Sequence, residues 1–175
     1  MRAKRCAVLL VLAVVALFCP RAEPPLSPAA AVSAAPWPVP GATVLRGWEP
    51  PPTPYARGHR GVDLAALVGT PVRAVRAGRV FFAGRVAGRG VVSVEHPGTG
   101  SPPLRTTYTP MDPRVEKGAE VRAGEVIGTV GTGPPHCAVS CLHWGLRRGE
   151  TYLNPLTLLY RGPSRLLPVL GVPLP

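Results

Sequence analysis

Between Val62 and Leu159 the chain keeps returning to glycine after short valine-rich runs. The runs read "TPVRAVRAGRVFFAGRV", "GRGVVSVEH", "LRTTYT", "AEVRAGEVIGTVG" and "CLHWGLRR". β-Branched residues favour extended backbone, and glycines at this spacing supply tight turns. No window carries an apolar stripe of helical period. The pattern predicts an all-β domain of short antiparallel strands, as a sheet or sandwich, and excludes helical bundles and alternating α/β folds.

The flanks differ in texture. Residues 1–34 read as a secretory signal: a positive start (Met1 to Arg5), an apolar run from Cys6 to Cys19 too short to span a bilayer comfortably, and the small residues "AAAVSAA" before a cut after Ala34. An uncleaved segment is the alternative and the only route to a membrane. Cys19 also stands roughly where a lipid-modified cysteine would, although bulky Phe18 precedes it. Residues 35–54 are proline-rich and predict an extended lead-in with little regular structure. The domain is expected over 55–160, and 161–175, rich in proline, form an irregular tail.

Charge narrows the partners. Of 20 basic and 9 acidic residues the signal takes four and one, which leaves 16 against 8, a mature charge near +8. Nearly all of it is arginine, spread over "RAVRAGRV", "AGRVAGRG" and "GLRRG". That distribution suits a solvated surface or attraction to an anionic polymer such as a cell wall. Export and the lack of a recognition-helix pattern exclude nucleic acid. The mature chain keeps two cysteines, Cys137 and Cys141. In an exported protein such a pair reads as a disulfide closing a small loop, with thiolate metal ligation as the alternative.

The chemistry-bearing residues are few. "GHRGVDLAA" sets His59 four residues before Asp63. Helical spacing would put both on one face, but Gly58 and Gly61 argue for a loop entering a strand. The pair reads either as a hydrogen-bonded surface couple or, with a distant second histidine, as a three-ligand set suited to catalytic zinc. His96 reads as a strand-end residue bonded locally, Trp144 as facing away from its neighbour His143, Arg147 and Arg148 as surface cations, and Asn154-Pro155 as a closing turn. A weak echo between "VGTPVRAVRAGRV" and "EKGAEVRAGEVIG" occurs in lipoyl- and biotinyl-type carriers, but Lys117 lacks their flanking partners.

Five segments in order resemble one family. "GHRGVDLAALVGTPVRAVRAGRVFFAG" is similar to the opening of the LytM/lysostaphin-like metallopeptidases, peptidase family M23: G-H-x-G-x-D, then G-x-P-V-x-A, then a Gly-Val strand. "GRGVVSVEHPG", "TTYTPM", "VEKGAEVRAGEVIGTVG" and "CLHWGLRRGETYLNPLTLL" follow, so the resemblance covers about residues 55–160. It implies a zinc site of His59, Asp63 and His143, the last matching the second histidine of the family's H-x-H. It also exposes two departures. Cys141 stands at the first histidine of H-x-H, and Pro110 at the histidine of Y-x-H. Replacement groups for these are sought in Tyr108, Thr109, His136 or a backbone amide. If Cys141 pairs with Cys137, the zinc keeps an open position; if it stays a thiolate, it can become a fourth ligand and close the site.

The resemblance therefore implies a secreted, wall-associated zinc endopeptidase acting on peptidoglycan. The alternatives are a catalytically degenerate module that binds wall or regulates a partner hydrolase, and a metal-free β-domain used for interaction.

Overall fold

The computed structural model describes residues 35–53, 55–133, 137–138 and 140–159. The expected signal (1–34), the tail (161–175) and the candidate His136 lie outside the described residues. Among the described residues there are eleven strands: β1 (Val44–Arg46), β2 (Gly61–Ala65), β3 (Pro71–Arg73), β4 (Gly78–Val86), β5 (Arg89–His96), β6 (Leu104–Thr109), β7 (Met111–Pro113), β8 (Glu120–Val121), β9 (Val126–Val130), β10 (Cys141–Arg148) and β11 (Thr151–Leu153). One short 3-10 turn, Pro155–Leu158, follows, and no α-helix occurs among the described residues. The expected all-β, antiparallel architecture is what the chain forms.

The larger sheet runs β1-β2-β10-β6-β5-β4-β8, with β11 also on β10; the smaller runs β3-β9-β7. Every pairing is antiparallel. Turn chemistry explains the longest hairpin. Val86 pairs with Arg89, so β4 and β5 are joined by Ala87-Gly88 alone. Both have positive φ, 48° and 79°. That is the two-residue turn whose twist matches the strands, and glycine at its second position removes half the steric cost.

Strand alternation separates two faces of the larger sheet. Val62, Leu64, Leu142, Trp144, Leu146, Tyr108, Val92 and Val94 are all 1% exposed or less. They meet Val72, Met111, Ile127 and Val130 of the smaller sheet, apart from Leu146, in one core cluster. The opposite face carries Asp63, His143, Gly145, Thr107 and Thr109 in register on three adjacent strands. Period-two alternation thus sends Trp144 inward and His143 outward, as the sequence predicts. His96, at the end of β5, is fully buried. Its Nδ1–H donates to the Ala77 carbonyl (3.0 Å) and its Nε2 meets the Thr106 hydroxyl at 2.9 Å. Burial holds this imidazole below its ordinary pKa and keeps it neutral.

The lead-in is extended, with one three-residue strand, and is anchored to the domain. Within 35–54, β1 pairs with β2, Val39 is buried in the core, and Trp37 and Trp48 pack against it. Prolines flank these anchors without interrupting the paired residues. The closing turn at Asn154 is a cap: its side-chain oxygen accepts the Leu156 amide at 3.0 Å and opens the 3-10 turn.

Candidate metal centre

His59 precedes β2 and is placed by a two-way bridge to Glu49. Its amide donates to the Glu49 carbonyl (2.8 Å) and its carbonyl accepts the Glu49 amide (3.1 Å). The imidazole Nδ1 lies 2.6 Å from the Gly47 carbonyl. A carbonyl only accepts, so Nδ1 carries the proton and Nε2 presents a lone pair. That lone pair faces Asp63 and His143. Asp63 on β2 and His143 on β10 stand directly opposite each other in the ladder, which sends both side chains to one face.

Three atoms converge. His143 Nδ1 lies 2.8 Å from Asp63 Oδ1, His59 Nε2 lies 3.1 Å from the same oxygen, and the two imidazole nitrogens are 3.2 Å apart. The rings meet edge-on, with centroids 5.0 Å apart. His59 and Asp63 are buried, and the His143 side chain retains 22% exposure. A tetrahedral ion with bonds of about 2.0–2.1 Å spans ligand pairs by about 3.3 Å, so the triangle fits zinc with a slight expansion. Two neutral imidazoles and one carboxylate are also the donor set of an open zinc site.

Gly61 supports this geometry and was not singled out from sequence except as a loop signal. A Cβ there would stand 2.6 Å from His143 Nε2 and 2.6 Å from the Trp144 carbonyl. The His143 ring lies against Gly61, and any side chain would push it off. The second glycine of G-H-x-G-x-D was the available signal. The Gly47 carbonyl left no signal, because every residue has one.

The replacement candidates separate by face. Tyr108 points into the core, fully buried, where its oxygen accepts the Val75 amide at 3.3 Å and burial pushes its pKa up to about 12. It faces away from the ligands and does not reach them. Thr109 pairs with His143 across β6 and β10 and shares its face; its hydroxyl donates to the Gly90 carbonyl at 3.1 Å. Pro110 follows β6, and its carbonyl accepts the Gly131 amide at 3.1 Å. Cys141 is joined to Cys137 in a disulfide with Cα atoms 6.3 Å apart. Both sulfurs lie within 4.8 Å of an Asp63 carboxylate oxygen, so the disulfide borders the ligand triangle.

Beyond Gly145 the open face continues to Arg147 and to Tyr152 opposite it on β11. Arg147 pairs with Glu150 at 2.6 Å, and Arg148 donates to the Pro102 carbonyl at 3.1 Å. Trp48, Tyr55, Arg60, Glu150 and Tyr152 line a cleft of about 510 Å³ here. It is bordered by the residue next to His59.

The chain is similar to known proteins in sequence and in fold. The pattern described as Peptidase family M23 matches residues 57–155. An uncharacterized protein of Mycobacterium tuberculosis is 44% identical over 139 residues, which cover 76% of this chain and 54% of that protein. The chain therefore spans about half the length of this curated relative. The DD-carboxypeptidase/endopeptidase Mpg of Neisseria meningitidis is 35% identical over 112 residues, 61% of this chain and 24% of that protein. Among solved structures, the catalytic domain of the antimicrobial peptidase lysostaphin from Staphylococcus simulans superposes with a TM-score of 0.56 at 25% identity. The match covers 67% of this chain and 92% of that domain.

Proposed function

This chain belongs to peptidase family M23, and on that premise we propose that it is an exported zinc endopeptidase that hydrolyses peptide bonds of peptidoglycan. The observation that carries the reading is the triangle of His59 Nε2, Asp63 Oδ1 and His143 Nδ1, with edges of 2.8–3.2 Å. These three residues would hold the ion. Zinc held there supplies a Lewis acid for the scissile carbonyl and lowers the pKa of water to about 7.

The chain's own residues perform the rest. The Gly47 carbonyl fixes the His59 tautomer, and bare Gly61 gives the His143 ring its place. His59 presents its Nε2 lone pair to the centre because its Nδ1–H is committed to the Gly47 carbonyl. The disulfide ties up both sulfurs, so neither is a thiolate and one coordination position stays open to substrate. A substrate strand laid along the open face runs over Gly61 and Gly145 towards Arg147 and Tyr152. The arginine-rich surface favours an anionic wall, in line with the charge of +11 on the full chain. Neither Pro110 nor a disulfide sulfur can carry a proton. Proton transfer near the scissile bond falls to the Thr109 hydroxyl or to His136. A positioned base is worth about 10²–10⁴-fold, so turnover is expected to be slow for the family's chemistry.

The same replacements favour a second reading, a degenerate module that binds wall or regulates a partner hydrolase. Incubating peptidoglycan with zinc-loaded wild type and with His143→Ala separates them. New amino termini with wild type alone support the peptidase. A zinc-loaded protein that is retained on wall and releases none supports the module.

A further inference from the structure

The disulfide sits where it can change the ligand count of the centre. Asp63 belongs to two clusters at once: one with His59 and His143, the other with Cys137 and Cys141, and within each the donor atoms lie within 4.8 Å of one another. Cys141 is on β10 two residues before His143, so both side chains leave the strand on the same face. Its backbone is held by pairing with Ala65, two residues beyond Asp63 on β2, and its side chain is nearly buried. Cys137 lies outside the strands, four residues earlier. The strand-held cysteine therefore has a fixed position beside the triangle, and its partner is carried by a loop.

We propose that reduction of Cys137–Cys141 closes the metal centre by adding Cys141 as a fourth protein ligand. A tetrahedral site with zinc–sulfur and zinc–oxygen bonds of about 2.3 and 2.0 Å places those two atoms about 3.5 Å apart. The Cys141 sulfur now lies within 4.8 Å of an Asp63 carboxylate oxygen but outside the cluster that the two histidines form with it, so ligation requires it to move towards the triangle. Release from the loop permits it. The inference rests on the zinc reading above. The chemistry balances simply. The disulfide takes up two electrons and two protons from a dithiol, which leaves as its own disulfide; a phosphine with one water does the same and leaves as a phosphine oxide. The Cys141 thiol gives its proton to solvent as it joins the ion. The resulting His₂AspCys set fills all four positions, leaving none for substrate, so the reduced chain is silent and oxidation opens it. A chain of this kind stays inactive wherever thiols prevail and becomes competent in an oxidising compartment.

The test uses the chain loaded with cobalt(II), whose near-ultraviolet absorption reports sulfur ligation directly. The oxidised protein is expected to bind one cobalt without a sulfur-to-metal band. Adding a phosphine is expected to produce the band and to bring peptide hydrolysis by the zinc form to background, both reversed by reoxidation. Cys137→Ser is expected to show the band without reductant, and Cys141→Ser to lack it in either state. Stoichiometric cobalt with no band on reduction overturns the inference and leaves the zinc site standing. A band that survives in reduced Cys141→Ser assigns the sulfur to Cys137 and also overturns it. Failure to bind cobalt in any state overturns the zinc site and the inference together.

Discussion

The two sides of the candidate centre differ in what their side chains offer. On the β2 and β10 side, His59, Asp63 and His143 meet within 3.2 Å, with a carbonyl setting one tautomer and a glycine making room for one ring. On the other side, the two positions where the resembled family places histidines hold Pro110 and a disulfide-bonded Cys141. The first side carries its candidate ligands together with their supporting contacts. Among the described residues, the hydroxyl of Thr109, paired with His143, is the proton-bearing group on that second side. The ladder between β2 and β10 brings Asp63 and His143 together whatever occupies the second side.

The largest break in that comparison comes from Asp63→Ala. It removes the one atom shared by both short contacts to the histidines, and zinc content and hydrolysis are both expected to fall to background while the β-sheet circular dichroism signal persists. Equipping the second side is the next largest effect. Pro110→His, and separately Cys141→His in a Cys137→Ser background, are expected to raise kcat by about 10²–10⁴-fold; an unchanged kcat shows that the missing histidines do not limit the reaction. Gly61→Ala is a smaller lever on the first side. The added methyl displaces the His143 ring, and zinc affinity measured by competition with a chelator is expected to weaken by about 10–100-fold.

The smallest effect concerns the core behind the sheet. His96 has a folded pKa lowered by burial from the ordinary 6.5. The unfolded chain therefore binds a proton that the folded chain refuses as pH falls below about 6.5, and stability declines in that direction. Urea midpoints at pH 7.5 and 5.5 are expected to differ more for wild type than for His96→Gln; equal differences would falsify the assignment.

Much of the fold was legible because its signal is local. Glycine between valine runs marks strands and turns wherever it occurs, and alternation put Trp144 and His143 on opposite faces. The same rule, applied to Tyr108 and Thr109, allows only one of them at the site, and the register with His143 selects Thr109. The lead-in was less legible. Val44–Arg46 becomes a strand through pairing with β2, a long-range contact that proline content around it does not reveal. The candidate ligand set came from family resemblance, and the structure brings its three residues together; spacing alone left His59 and Asp63 as an ordinary polar pair. Their partner stands 80 residues after Asp63 and is joined to it only by the ladder. The Gly47 carbonyl and the bordering of the triangle by the disulfide were beyond sequence, since both depend on where backbone and sulfur atoms fall in space.

Zinc stoichiometry is the direct test of the central claim that the first side holds a metal. Oxidised wild type equilibrated with zinc and freed of excess by gel filtration is expected to retain one ion per chain, and His143→Ala to retain none under the same treatment. A wild-type chain that retains no zinc, or a His143→Ala chain that retains as much as wild type, contradicts it.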